Sequence, residues 1–226
     1  MDYNNIISRI HKDWLPFFET NKEEFENILS KLNEMERKIY PNPNDILRSL
    51  FYHSPKDIKI CIIGQDPYIG EENGVPQAMG LSFSVPRKHK KIPPSLQNIF
   101  KEIKNCYPEF KIPNHGLLKR WARKEKMLLL NSALTVFEKE SNSHAKLWVE
   151  FVNKLIKWFQ HINDGCVFLL MGNFAQSKKV LIENKHKIFN TVHPSPLSVY
   201  NGFYGSNVFK KINDYLESNN KEKIIW

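Results

Sequence analysis

The sequence predicts an α/β fold: a single domain over residues 1–226, with a central four-stranded, mostly parallel sheet and helices on both faces. Two observations support this prediction. Four apolar runs have the length of strands and are apolar at both alternating sets of positions, as in a sheet that is covered on both faces. Helical patterns separate these runs, which indicates right-handed crossovers between parallel strands. A functional site is then expected at the carboxyl ends of the strands.

The elements follow one another in a regular order. Strands are predicted at Ile58–Ile63, Lys126–Asn131, Cys166–Met171 and Lys187–Val192. Helices are predicted over residues 23–39, 95–107, 114–125, 143–162, 174–184 and 205–219. The fourth helix has Ser143 as its predicted N-cap, and its apolar side chains recur at spacings of three and four residues, which defines one buried face.

Charge and cysteine content limit the class of protein. The 33 basic and 24 acidic residues give a net charge of +9, which favours a polyanionic partner such as nucleic acid without requiring one. The three cysteines, Cys61, Cys106 and Cys166, form no C-x-x-C pair, which argues against a disulfide framework or a zinc site. The first residues lack the pattern of a signal peptide, and no apolar run reaches the ~20 residues of a spanning helix. We expect an intracellular protein without a membrane partner: cytoplasmic, or nuclear if the host is eukaryotic or viral.

Polar residues stand directly after each predicted strand. The first strand runs into Gly64, Gln65 and Asp66, the second ends on Asn131, and the fourth is followed by His193. The third strand is followed by Gly172 and Asn173. The carboxyl ends of parallel strands share one edge of the sheet, where ligands bind. This convergence predicts a site at that edge.

Taken singly, each of these residues has a simpler structural interpretation. Asp66 before a proline is typical of a turn, and a lone His193 is often a hydrogen-bonded structural residue. Asn131 could cap the next segment, Phe83 could belong to the core, and Arg87–Lys91 could be a solvated loop. If all of these structural interpretations were correct, polar residues would have to follow four different strands by coincidence.

Seven short motifs occur in order along the chain: GQDPY, GLSFSV, IPPSLQNIFKEI, LLLNSALTV, SHAKLW, FLLMGNFAQ and HPSPLS. They resemble the motif set of the family 1 uracil-DNA glycosylases, and the resemblance extends from DWLPFF near the start to the terminal IIW. It implies a DNA repair enzyme with one catalytic domain over residues 1–226. Such an enzyme flips uracil out of DNA, hydrolyses its N-glycosidic bond and leaves an abasic site, which starts base excision repair.

The resemblance also implies roles for particular residues. Asp66 and His193 would be catalytic: the carboxylate would stabilise the cationic sugar and orient water, and the imidazole would donate a hydrogen bond to uracil O2. The substrate-binding residues would be Gln65, Tyr68, Phe83 and Asn131. The backbone N–H of Gln65 would join His193, Phe83 would stack on the base, and Tyr68 would exclude the methyl group of thymine. The Asn131 carboxamide would match the N3–H and O4 edge of uracil.

DNA contacts are implied around the same site. They comprise Pro93, Pro94, Ser95, Gly172, Asn173, Ser195, Pro196, Leu197 and Ser198. Leu197 is in the position of the residue that fills the space left by the flipped base. The resemblance implies no cofactor and no metal, and it implies a monomer. The expected partners are uracil-containing DNA, single- or double-stranded, and the family's DNA-mimicking inhibitor proteins.

The chain also departs from the family pattern. Ile69 stands where the family usually has His after GQDPY, and the segment 71–76 is about four residues longer. Met171 stands in place of a usual Trp, and Asn173 in place of a usual Ser. His144 is expected to have a structural role beside the N-cap of its helix.

Two other classes of function remain open. A DNA-binding scaffold would need the basic surface and the loops, but it would not need Asp66, Asn131 and His193 together. A nucleotide-binding α/β enzyme is disfavoured because the sequence contains neither a P-loop nor a G-x-G-x-x-G motif.

Overall fold

The computed structural model describes residues 1–226, and its centre is a four-stranded parallel sheet. Its strands are β1 (Ile60–Gly64), β2 (Met127–Asn131), β3 (Val167–Met171) and β4 (Lys187–Thr191). Their spatial order is β2-β1-β3-β4, and each neighbouring pair is parallel. The predicted α/β class is confirmed, and each predicted strand agrees with the observed one to within two residues at either end.

The strand order opens a crevice at the carboxyl edge. After β1 the chain crosses to β2 on one side, and after β3 it crosses to β4 on the other. Loops that leave β1 and β3 therefore diverge, and this switch point is where open parallel sheets bind ligands.

Helices cover both faces of the sheet, as the apolar runs predict. One face packs against α1 (Tyr3–Ile7), α2 (Leu15–Thr20), α3 (Lys22–Asn33), α6 (Ala145–Ile162) and α7 (Asn173–Ser177). The other face packs against α4 (Pro94–Cys106), α5 (Lys119–Arg123) and α8 (Val208–Ser218). Alternate residues of β1 divide between the two cores: Cys61 and Ile63 face the first, whereas Ile60 and Ile62 face the second.

Several helix boundaries differ from the prediction. Helix α3 ends at Asn33, because the chain then turns into Ile39–Tyr40, a short strand that pairs antiparallel with Val136–Phe137. Ser143 is not the N-cap of α6, since its hydroxyl accepts from the Phe137 N–H and donates to the Glu140 carbonyl. These hydrogen bonds close the preceding turn, and α6 begins only after His144.

A second short antiparallel pair joins Glu71–Glu72 to Val75–Pro76 within the longer segment that follows GQDPY. None of the helices has the length and apolar character that crossing a membrane requires.

Candidate active site

A pocket of about 260 Å³ opens at the carboxyl edge of the sheet. Seven residues predicted from the sequence line it: Gln65, Asp66, Tyr68, Phe83, Ser95, Asn131 and His193. Further lining residues include Gly64, Pro67, Ile69, Ala78, Met79, Gly80, Leu81 and Ser141. The fold thus brings residues from the ends of β1, β2 and β4 into one small cavity.

Asn131 is held against Gly64, its register partner on β1. A Cβ added to Gly64 would lie 2.2 Å from Asn131 Oδ1 and 2.9 Å from Ser82 Cβ. Parallel pairing continues beyond the strand ends, because Ser132 N–H donates to the Gly64 carbonyl and Ala133 N–H donates to the Gln65 carbonyl, each at 2.9 Å. The carboxamide can therefore occupy this position only because residue 64 has no side chain.

Asp66 is fixed by a loop that precedes α6. Its Oδ2 accepts hydrogen bonds from the Ser141 hydroxyl at 2.8 Å and from the Asn142 N–H at 2.7 Å. Gln65 Nε2 donates to Asn142 Oδ1 at 2.5 Å, which joins the same loop to the neighbouring residue. A carboxylate that accepts two such bonds has a defined orientation, and Oδ1 remains for a ligand or water.

Ser141 is a site residue that the sequence reasoning missed. It lies in a polar segment between β2 and α6 and is separated from Asp66 by 75 positions. The only local signal is a run of small polar residues, ESNS, and such a run is equally typical of a solvated loop.

Tyr68 and Phe83 form the apolar walls. The Tyr68 hydroxyl donates a long hydrogen bond to the Phe83 carbonyl at 3.4 Å, and burial raises the pKa of the Tyr68 phenol, which keeps it uncharged. Phe83 has φ +62°, a left-handed conformation that bulky residues rarely adopt. A strained backbone conformation persists only where the surrounding contacts enforce it, and such residues are common in binding sites.

His193 lies across the pocket with its ring 6.2 Å from that of Phe83. The Ser195 N–H donates to His193 Nδ1 at 3.1 Å, so Nδ1 is an acceptor and the proton of the neutral imidazole lies on Nε2. Burial lowers the pKa of His193, which favours this neutral form. The ring is thus prepared as a neutral hydrogen-bond donor.

Gly172 makes room for His193. It has φ +87°, and a Cβ at this position would lie 2.7 Å from His193 Cβ. Its own N–H donates to the Thr191 carbonyl at 2.9 Å and is not available to a phosphate. Asn173, which begins α7, is exposed beside it.

The segment after His193 is held by a small hydrogen-bond network. Ser198 Oγ donates to the His193 carbonyl at 2.8 Å and lies 2.9 Å from Ser195 Oγ. Asn98, which the sequence reasoning missed, donates to the Pro194 carbonyl at 2.8 Å. Leu197 projects from this network with 94% of its surface exposed.

Two departures from the family pattern have structural explanations. Ile69 lines the pocket and packs against Tyr40, Ala78 and Val136, so an apolar contact occupies this position. Met171 is buried in the core that includes α4 and α8. His144 lies outside the pocket: its Nδ1 is 2.8 Å from Thr135 Oγ1, and its ring packs edge-on against Phe137.

Comparisons with known proteins identify the family. The model of the uracil DNA glycosylase superfamily matches residues 51–217. A uracil-DNA glycosylase of Desulfitobacterium hafniense is 47% identical over 194 residues, which cover 84% of this chain and 82% of that protein. One from Bacillus cytotoxicus is 43% identical, with 96% of each chain covered. A crystal structure of a mimivirus UNG variant in complex with UGI superposes with a TM-score of 0.92 at 33% identity, covering 99% of this chain and 91% of that one.

Proposed function

Since the chain belongs to the uracil-DNA glycosylase family and excises uracil from DNA in repair, we propose that the pocket at the carboxyl edge is where the flipped uracil is bound and released. One observation carries the proposal. Asp66, Asn131 and His193, from three different strand ends, line a single pocket, and the hydrogen bond at His193 Nδ1 leaves Nε2–H as a donor.

Entry of the base requires that the nucleotide leaves the DNA stack, at a cost of a few kcal/mol for unstacking and unpairing. Leu197 is almost fully exposed and apolar, so it is suited to enter the stack in place of the base. Ser195, Pro196 and Ser198 flank it, while Pro93, Pro94 and Ser95 begin α4 near the pocket. The N–H and the hydroxyl of Ser95 make no hydrogen bond within the chain and are suited to phosphate oxygens, and the net charge of +9 attracts DNA over a longer range.

Base selection follows from the shape and polarity of the pocket. The Asn131 carboxamide would accept from uracil N3–H and donate to O4, whereas cytosine presents the reverse pattern and would leave buried polar groups unpaired. The Phe83 ring would stack on the pyrimidine. The Tyr68 side chain would stand against C5 and exclude the methyl group of thymine.

Cleavage separates charge within the pocket. As the N-glycosidic bond breaks, its electron pair leaves with uracil and positive charge develops on the sugar. His193 Nε2–H and the Gln65 N–H, which donates to no backbone carbonyl in the chain, would stabilise the uracil anion at O2. Asp66 would stabilise the sugar cation and accept a proton from the water whose oxygen bonds to C1′.

The proposal is tested by release of free uracil from a uracil-containing oligonucleotide. Wild-type protein should release uracil, and Asp66→Asn should lose most turnover, by roughly 10²- to 10⁴-fold, while it still binds the DNA. Asp57→Asn, which alters an exposed carboxylate before β1, is the matched control. Near-normal turnover by folded Asp66→Asn would remove the catalytic assignment. DNA binding by the wild type without any uracil release would favour the scaffold hypothesis.

The same face should also bind proteins that mimic DNA. The mimivirus UNG variant was solved in complex with UGI. We infer that UGI competes with DNA for the pocket face of this protein, and its addition should abolish uracil release. Undiminished release with UGI in excess would contradict this inference.

A further inference from the structure

Residues 87–91, here called the basic loop, lie directly before the start of α4. Lys88, Lys90 and Lys91 are exposed, and none of them forms an ion pair. The loop makes one contact of ion-pair length, from His89 Nδ1 to Glu72 Oε2 at 3.4 Å. The imidazole of His89 is completely buried, so the loop is attached to the body of the protein rather than free in solvent.

Residues 71–76, here called the acidic hairpin, hold the basic loop. The Glu72 carboxylate accepts from the Lys90 backbone N–H, with distances of 3.1 Å to Oε2 and 3.3 Å to Oε1. The preceding residue ties the hairpin to the core, because the hydroxyl of the buried Tyr40 donates to Glu71 Oε2 at 2.6 Å. A continuous series of contacts therefore extends from Tyr40 through the hairpin to Lys90.

A groove of about 610 Å³ lies beside the C-terminal end of the basic loop and the start of α4. Its lining includes Tyr68, Gln77, Lys90, Lys91, Pro93 and Gln97. Tyr68 lines both this groove and the pocket, so the two cavities are neighbours. Two lysines that form no ion pair and two glutamines therefore line a groove adjacent to the base site, and Gln97 Nε2 uses one of its N–H groups on the Ile92 carbonyl.

We propose that this groove is a phosphate-binding subsite for the DNA strand that carries the uracil, and that Glu72 is the residue that positions it. The inference rests on the proposed function. Lysine ammonium groups bind phosphates as point charges, and carboxamide N–H groups add hydrogen bonds. Glu72 supports binding of a polyanion although it is itself an anion, because its carboxylate holds the Lys90 backbone N–H and forms no ion pair with a lysine of the basic loop.

The lysines are tested through the salt dependence of uracil release. The variant Lys90→Ala with Lys91→Ala should raise KM and reduce the slope of log(kcat/KM) against log salt by about one for each lost phosphate contact. The control is Lys56→Ala with Lys157→Ala, which removes the same charge from exposed positions before β1 and in the second half of α6. If the two double variants change the slope equally, only net charge matters and the subsite is refuted.

Glu72 is tested by two substitutions that change the charge equally. Glu72→Ala removes the acceptor of the Lys90 N–H, whereas Glu72→Gln retains an oxygen that can accept it. We expect KM to rise roughly fivefold in Glu72→Ala, as for the loss of one hydrogen bond, and to return most of the way to wild type in Glu72→Gln. Both substitutions remove one negative charge and so raise the net charge by one. Electrostatic attraction of DNA alone would therefore lower KM in both variants. A lower or unchanged KM in Glu72→Ala would overturn the positioning role.

The two proposals fail in different ways. Absence of uracil release by the wild type would remove the proposed function. Normal release by the wild type with unaltered KM and salt slope in the Lys90 and Lys91 double variant would remove only the subsite. A thermal unfolding measurement on each variant separates loss of the contact from loss of the fold.

Discussion

Gly64 and Asn131 are register partners on neighbouring strands, and the Asn131 carboxamide oxygen occupies the space that a side chain at residue 64 would need. We therefore predict that Gly64→Ala displaces the carboxamide and loses most uracil release. Overpacking of this kind typically costs about 1–3 kcal/mol of stability, which leaves a folded protein available for assay. Gly205→Ala is the control for a glycine with open space around it; its left-handed backbone costs some stability, but the variant should retain activity. Full activity of folded Gly64→Ala would show that Asn131 is not fixed in this way.

Asn131→Asp should shift acceptance from uracil towards cytosine. The carboxylate cannot donate to O4, but it can accept from the N4 amine of cytosine. Release of free cytosine from an unmodified oligonucleotide measures the effect, with wild type as the reference. If release never exceeds background while the variant remains folded, Asn131 does not select the base.

Tyr68→Ala should permit slow release of thymine. Removing the phenol opens space where the methyl group on C5 would lie, and uracil release should fall because one wall of the pocket is lost. The assay follows free thymine from unmodified DNA. Tyr68→Phe keeps the ring and should still reject thymine, so equal thymine release by both variants would refute steric exclusion.

Ser141→Ala should lower kcat more than it raises KM. Its hydroxyl donates to Asp66 Oδ2, and loss of a hydrogen bond to a charged group costs about 1.5–3 kcal/mol, or about ten- to a hundredfold. Ser141→Thr retains the hydroxyl and should recover much of the rate. Equal rates in Ser141→Ala and wild type would mean that the Asn142 N–H alone orients Asp66.

Activity should not fall as pH rises through the ordinary titration range of histidine. Burial lowers the pKa of His193 from 6.5, so the neutral donor is present at and above that pH and persists somewhat below it. At a pH between the lowered pKa of the folded protein and the ordinary pKa of 6.5, His193 binds more protons in the unfolded chain than in the folded one. The free energy of unfolding therefore decreases as the pH falls below 6.5, and His193 does not change it above that range. The ratio of kcat between wild type and His193→Ala should therefore stay level from about pH 6.5 to about pH 8. A ratio that declines over this range would indicate that the imidazolium is the active form.

The strands and the residues at their ends could be predicted because their signals are local. A strand covered on both faces must be apolar at successive positions, and a polar residue directly after it must lie at the edge of the sheet. Asp66, Asn131 and His193 were found in this way. Ser141 and Asn98 could not be, since they act through contacts with Asp66 and Pro194 that are 75 and 96 positions away. Small polar residues in loops and helices carry no local sign of such partners.

The sequence by itself determined the α/β class, the strands and the motif set, because burial and turn formation depend on short segments. Only the tertiary structure decided the tautomer of His193, the space at Gly64 and Gly172, and the attachment of the basic loop to Glu72. Each of these depends on how closely two distant segments of backbone approach. That approach is set by the strand order and by the packing of the loops, which hydrophobic periodicity does not encode.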